Sequence, residues 1–275
     1  MPGLPLLLAD PGWLASDAAP GPGAPRHPGG DHPWLICLSS GTTAAPKAMI
    51  RSHAVQREIA AAGWRQMGGR PDDRLLAVTA LHFVYGLTNA LQPLEGGAAL
   101  RLPERSLPVP EIAEIIDRER ITRLVLTPEQ VLTMVECLPG DAPRFPGLRD
   151  LKVSTAPLTP EMRLEVMRRI SPALSVTYGA NECWMVSRAD AAALEALPGT
   201  VGFAYQGVAI EIVDEAGRGL PAGAVGQVRV RGATSRGSAR RCPRPRSPAR
   251  SSAAGRPPPA SRRAAGRCGR NRRAP

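Results

Sequence analysis

The chain has 275 residues, 43% of them hydrophobic, which suffices for one large domain or two modest ones. Its formal charge of +11 would suggest a nucleic-acid partner, but 13 arginines lie after position 233, where no lysine or acidic residue occurs. The rest of the chain holds 22 basic against 24 acidic residues, a net charge of −2. The folded part therefore lacks the positive charge that binding to DNA or RNA requires, and we expect no specific nucleic-acid partner.

The five cysteines are far apart and form no CxxC pair: Cys37, Cys137, Cys183, Cys242 and Cys268. This spacing argues against a zinc site and a disulfide framework and is typical of a reducing compartment. No lysine or arginine precedes the short apolar run near the N-terminus, and no stretch approaches the roughly 20 apolar residues of a membrane span. We expect a cytoplasmic protein without a membrane span.

Short apolar runs alternate with segments of helical spacing along most of the chain. A loose Pro/Gly-rich leader at 1–32 comes first. The pattern then predicts strands at 34–39, 74–81, 98–102, 121–126, 148–154 and 174–178, and helices at 53–67, 87–94, 109–120, 128–138 and 160–170. This alternation predicts an α/β fold over 33–198 with a mostly parallel sheet flanked by helices. A short antiparallel β region follows at 199–232, with strands at 208–214 and 227–232.

The last segment, 233–275, has a different composition. After Val230 there is no Val, Ile, Leu, Met or aromatic residue, so little apolar surface is available to offset the ordering entropy. We expect a disordered Arg/Pro-rich tail. Its composition is also what a GC-rich gene gives when read in the wrong frame, and we keep that origin as a hypothesis.

The strongest local signal is a loop of small, hydroxylated residues that ends in a lysine. It comprises Ser39, Ser40, Gly41, Thr42, Thr43, Ala44, Ala45, Pro46 and Lys47. Backbone N–H groups and hydroxyls of such a loop can surround phosphate oxygens, while the lysine adds a positive charge. Neither a Walker A loop nor a nucleophile elbow fits, because the glycines these motifs need are absent. The sequence places the loop after an apolar strand and before a helix.

This loop resembles the S-G-T-T-G-x-P-K-G signature of the AMP-binding, adenylate-forming superfamily, with Ala44 and Ala48 in place of two glycines. The run Ser154, Thr155, Ala156, Pro157 and Leu158 resembles the family's G-A-P-L stretch beside the adenine. A third run, Tyr178, Gly179, Ala180, Asn181 and Glu182, resembles Y-G-x-T-E. The resemblance covers about residues 34–232 and implies that Tyr178 stacks on adenine, Asn181 lies near the phosphates and Glu182 holds Mg²⁺.

The segment at 82–86 occupies the place of the family's acyl pocket, where His82 would flank the substrate carboxylate; a core or loop role for this histidine is equally open. No Asp or Glu lies between Asp73 and Glu95, so the acid that amino-acid-activating relatives place here is missing. The resemblance therefore implies a plain carboxylic acid, fatty or aromatic. Lys47, Glu182 and His82 are the expected catalytic residues.

In the family, a T-G-D motif and a C-terminal domain with a catalytic lysine follow this region, whereas no Asp, Glu or Lys occurs after Gly232. We therefore expect a truncated fragment of the N-terminal domain. The implied function is ATP-dependent activation of a carboxylic acid for transfer to a thiol, on coenzyme A or a carrier protein, impaired by truncation. Two alternatives remain: a non-catalytic nucleotide-binding remnant, and a basic-tail binder of nucleic acid.

Overall fold

A computed structural model describes residues 29–39, 47–103 and 106–232. Three segments lie outside these residues: most of the expected leader, the central part of the predicted phosphate loop, and the Arg-rich tail. The predictions made for these segments stay predictions. None of the helices in the described part is long and apolar enough to cross a membrane.

The described residues form eleven strands and six helices. The strands are β1 (Pro33–Ser39), β2 (Lys47–Ser52), β3 (Arg74–Ala77), β4 (Ala99–Arg101), β5 (Arg123–Leu126), β6 (Asp150–Val153), β7 (Leu174–Ala180), β8 (Trp184–Ala189), β9 (Phe203–Ala204), β10 (Val208–Val213) and β11 (Gln227–Gly232). The helices are α1 (His53–Gln66), α2 (Val84–Glu95), α3 (Val109–Arg118), α4 (Pro128–Cys137), α5 (Pro160–Arg169) and α6 (Ala191–Ala196).

Seven strands form one sheet in the order β4-β3-β5-β6-β7-β8-β9. The pairs from β4 through β7 are parallel, and β7, β8 and β9 pair antiparallel. The mostly parallel, helix-flanked sheet predicted from the alternation is thereby confirmed. The antiparallel region predicted near 199–232 is confirmed as well, since β10 and β11 pair antiparallel in a sheet of their own.

The two faces of the large sheet differ in chemistry. Apolar side chains of β5, β6 and β7 pack against α3, α4, α5 and α6 in one continuous core. The opposite face is covered by α1 and α2 and combines a smaller apolar cluster with buried charged residues, among them Arg123, Asp150 and Lys152. Alternation along each strand produces this division, because successive side chains point to opposite faces.

The sequence-based prediction missed one strand beside the phosphate loop. β2 runs antiparallel to β1, with Ser39 opposite Lys47, so residues 40–46 connect two strands rather than a strand and a helix. Helix α1 begins only at His53, where the Ser52 hydroxyl accepts a hydrogen bond from the Val55 N–H. Along the chain, the whole of β2 therefore separates the predicted phosphate loop from the N-terminus of α1.

Candidate functional site

A cleft of about 1500 Å³ opens at the edge of the large sheet where the parallel strands β3, β5 and β6 end. Its walls come from β1, from the segments after these strands, from the start of α2 and from the β7–β8 turn. Among the sequence-predicted site residues that the structure describes, six line it: His82, Ser154, Thr155, Gly179, Asn181 and Glu182. Ligands of open α/β sheets bind at this edge, in the crevice outside the carboxyl ends of the strands. Three separate sequence signals therefore meet in one cavity.

The stretch after β6 forms one rim of the cleft. The Ser154 hydroxyl donates a hydrogen bond to the Thr177 carbonyl at 2.7 Å and so joins the end of β6 to the middle of β7. Thr155 has a φ of 85°, a left-handed conformation that is costly for a β-branched residue. Ala156 and Pro157 are exposed and do not line the cleft, whereas Leu158 is buried in the core. This rim thus offers Thr155 and backbone groups, while the Ser154 donor is already used.

The β7–β8 turn forms the opposite rim. Gly179, Asn181 and Glu182 line the cleft, and a Cβ at Gly179 would overlap the carbonyl oxygen of Trp184, so only glycine fits there. Tyr178 is 42% exposed and does not line the cleft. The structure therefore brings Glu182 and Asn181 to the cavity and leaves Tyr178 on the open surface beside it.

The wall built by the start of α2 is apolar and aromatic. His82 and Phe83 have ring centroids 4.3 Å apart, and Val84, Tyr85 and Leu87 continue the wall. The Tyr85 hydroxyl donates to the Leu126 carbonyl, and burial raises the pKa of this phenol well above its usual value. A wall of this kind suits an apolar or aromatic ligand body.

The phosphate loop is described only at its two ends. Ser39 and Lys47 form the last backbone pair of the β1–β2 ladder, while Ser40, Gly41, Thr42 and Thr43 lie outside the described residues. Leu35, Ile36 and Cys37 of β1 line the cleft. The strand that leads into the loop therefore borders the same cavity as Glu182.

Several cleft residues were missed from sequence. Thr79, Thr127 and Gln130 line the cavity, and Thr127 with Gln130 forms a capping box at the start of α4. The Thr-x-x-Gln spacing in front of an apolar helix was a readable signal for that helix start. Thr79 and Gln130 are joined by a 3.2 Å hydrogen bond, and no local pattern indicates a contact between residues so far apart in sequence.

The residues that line the cleft suit a nucleotide with a hard cation. Glu182 supplies one carboxylate, and no group of three or more His, Cys, Asp or Glu side chains converges anywhere in the part of the chain that the structure describes. A single carboxylate is sufficient for Mg²⁺, which keeps several waters and takes further ligands from phosphate oxygens. Glu129 adds a second, exposed carboxylate at the α4 side of the cleft.

Comparison with known proteins agrees with this geometry. The sequence profile described as "AMP-binding enzyme" matches residues 6–237. The chain belongs to this family. The relatives that match this chain are adenylate-forming ligases, and the resemblance inferred from the three motifs is thereby confirmed.

An indoleacetate–CoA ligase from Aromatoleum aromaticum is 28% identical over 233 residues, which cover 80% of this chain and 44% of that ligase. Among solved structures, the amide bond synthetase McbA from Marinactinospora thermotolerans superposes with a TM-score of 0.67 at 28% identity, covering 79% of this chain and 44% of McbA. ATP-bound MatB from Rhodopseudomonas palustris, at 23% identity and a TM-score of 0.65, covers 76% of this chain and 41% of MatB, and shows the shared fold. The chain thus spans less than half the length of these relatives.

Proposed function

We propose that the cleft binds Mg²⁺–ATP together with a carboxylic acid and belongs to an enzyme that joins the two as an acyl-adenylate. The observation that carries this proposal is the meeting of Thr155, Glu182 and His82 in one cavity at the carboxyl edge of the sheet. The cavity of about 1500 Å³ has room for a nucleotide and an acid side by side.

Each group has a role in the proposed reaction. The substrate carboxylate attacks the α-phosphorus of ATP, an acyl-phosphate bond forms, and the bond to the bridging oxygen breaks to release pyrophosphate. Lys47, the loop N–H groups and Mg²⁺ held by Glu182 would neutralise the charge that develops on the phosphates. A thiol, on coenzyme A or a carrier protein, would then displace AMP.

The acid we propose is one with an apolar body, fatty or aromatic. The wall formed by Phe83, Val84, Tyr85 and Leu87 is apolar or aromatic and no acidic residue lies at 74–94, so the side chain that would hold a substrate ammonium is absent from this wall. His82 lies beside Phe83 in the lining of the cleft and would donate a hydrogen bond to the acid's carboxylate.

Nucleotide binding tests the first half of the proposal. Lys47→Ala and Glu182→Gln each remove one charge-assisted contact with the phosphates or the metal, so each should weaken binding of Mg²⁺–ATP to the 275-residue chain by about 1.5–3 kcal/mol. Isothermal titration measures this. Glu165→Gln, on the outer surface of α5, is the matched control and should bind like the parent. Unchanged binding by both site variants would show that the site is wrongly assigned.

A bisubstrate mimic tests the second half. An arylacetyl sulfamoyl adenosine fills the nucleotide and acid regions at once, whereas sulfamoyl adenosine fills the first alone. Because the linked ligand gains the contacts of the apolar wall, it should bind at least tenfold more tightly than the acyl-free compound. Tyr85→Ala should reduce this advantage. Equal binding of the two compounds would restrict the cleft to nucleotide alone and would favour a non-catalytic binding protein.

A further inference from the structure

Arg51 is a buried cation beside the cleft that the proposed chemistry does not use. It lies in β2 and is 1% exposed. Within the described parts of the chain, no carboxylate forms an ion pair with it. Its guanidinium donates to the Asn181 carbonyl at 2.8 Å and to the Gln56 side chain at 3.3 Å, and it lies 5.1 Å from the centre of the Trp184 ring.

This burial has a substantial energetic cost. A cation removed from water without a carboxylate depends on dipoles and π faces for its stabilisation, and burial accordingly lowers the pKa of Arg51. The guanidinium charge strengthens both hydrogen bonds, and the one to the Asn181 carbonyl is the shorter of the two. The Arg51 side chain therefore fixes that carbonyl more firmly than a neutral donor would.

The two ends of this contact belong to two separate parts of the candidate site. Arg51 is four residues from Lys47, about 13 Å along the same extended strand, and the phosphate-loop connection precedes that strand. Asn181 is the first residue of the β7–β8 turn, and Glu182 follows it directly. Trp184, under the guanidinium, begins the next strand with a φ of 60°. One side chain thus joins the β1–β2 hairpin to both ends of the turn that carries Glu182.

We propose that Arg51 is a positioning residue that holds the Glu182 turn in register with the phosphate-loop hairpin, so that one Mg²⁺ can contact the Glu182 carboxylate and the nucleotide phosphates together. The inference rests on the proposed function, because it takes Glu182 as the metal ligand. A metal-ligating carboxylate that is fixed by a neighbouring contact binds its ion 10–100-fold more tightly than a loosely held one.

The test measures the gain in ATP affinity that Mg²⁺ provides, using the full 275-residue chain. Titrations of ATP with Mg²⁺ and with EDTA give this gain for the parent, Arg51→Met and Arg51→Lys. The parent should gain tenfold or more from Mg²⁺. Arg51→Met should lose most of this gain while its affinity in EDTA changes less than about threefold, because the metal contact alone depends on Glu182. Arg51→Lys keeps one charged donor and should retain an intermediate gain.

Arg123→Lys is the matched control. Arg123 is also a buried arginine that donates to backbone carbonyls and lies 5.2 Å from the centre of a tryptophan ring, Trp64. It differs from Arg51 in its ion pair with Asp73 and in its place at the opposite end of β5 from the cleft. This variant should lose stability and keep the parent's Mg²⁺ gain. If Arg51→Met does not fold, the comparison of Arg51→Lys with Arg123→Lys decides the question, with thermal melts confirming that both are folded.

The outcomes separate the two proposals. A parent that binds no ATP in either condition would overturn the proposed function, and this inference with it. A parent with a clear Mg²⁺ gain that Arg51→Met or Arg51→Lys fully preserves would leave the proposed function intact and overturn the positioning role. If Arg51→Met lost ATP affinity equally with Mg²⁺ and with EDTA, the positioning role would also be overturned. Such a result would show that Arg51 supports only the fold of the cleft.

Discussion

At the scale of single residues, Lys152 has an environment that is unusual for a lysine. It lies in the central strand β6, is fully buried under α2, and donates a 2.8 Å hydrogen bond to Asn89. Burial is the main cause that lowers its pKa from 10.5 to about 7; Arg188 lowers it further and Asp150 opposes the shift. Between these two pH values the unfolded chain holds a proton that the folded chain has released.

Titration of Lys152 should therefore make the free energy of unfolding rise with pH from about 7 upward, by at most about 1.4 kcal/mol per pH unit. Below pH 7 the folded and unfolded states both hold the proton, so Lys152 contributes no pH dependence there. Lys152→Met removes this contribution. The stability advantage of Lys152→Met over the parent should be largest at pH 6 and shrink by pH 8.5. Urea titrations at four pH values measure it.

Burial raises the pKa of the Cys37 and Cys183 thiols, so these groups make the free energy of unfolding fall as pH rises, opposite to the effect of Lys152. Both proteins contain these thiols, so the difference between the Lys152→Met and parent curves cancels their contribution. Arg168→Met, which removes an exposed cation on α5, should keep the parent's pH dependence. Parallel curves for the parent and Lys152→Met would contradict the prediction and show that the folded chain keeps this lysine charged.

At the scale of elements, periodic helices were predictable and short polar strands were not. The apolar spacing of α3 and the Thr-x-x-Gln start of α4 are local signals, and both helices lie where the sequence predicts them. β2 and β8 were missed, because residues such as Lys47, Arg51 and Arg188 give them no clean alternation. Their pairing with β1 and β7 is a non-local interaction, and strand formation depends more on such partners than on propensity.

The start of α2 shows why the site itself was only partly predictable. The sequence predicts this helix from Leu87, whereas it begins at Val84 and so adds Tyr85 to the wall of the cleft. Gly86 permits this start: a Cβ there would lie 2.7 Å from the Thr79 carbonyl oxygen and closer still to that of Ala80. The close approach of two backbones is a tertiary feature that a sequence pattern does not reveal.

Gly86→Ala should therefore destabilise the protein by about 1–3 kcal/mol, because α2 must move away from the segment that precedes it, despite the better helix propensity of alanine. Chemical denaturation measures the loss. Gly147→Ala is the matched control, since a Cβ there would meet no atom within 4 Å; its stability should stay within about 0.5 kcal/mol of the parent. Similar losses in the two variants would mean that the contact at Gly86 carries no special cost.

At the scale of the whole molecule, stability should be unevenly distributed among its sheets. The central strands β5 and β6 are buried on both faces, whereas the β10–β11 sheet has two strands and exposes apolar residues such as Val228. An isolated two-stranded sheet is marginally stable in water. The motifs of the candidate site lie at the edge of the stable part, which is where a rigid scaffold can position binding loops.

Hydrogen exchange followed by mass spectrometry tests this distribution, and the β1–β2 hairpin is an internal control. It is also a two-stranded antiparallel sheet of similar length, but Cys37, Met49 and Arg51 bury one of its faces. Amides in β5 and β6 should exchange slowest, those in β1–β2 at an intermediate rate, and those in β10–β11 fastest, because local opening costs less where less apolar surface is buried. Equal rates for the two hairpins would contradict this order and would mean that strand pairing, rather than burial, sets local stability here.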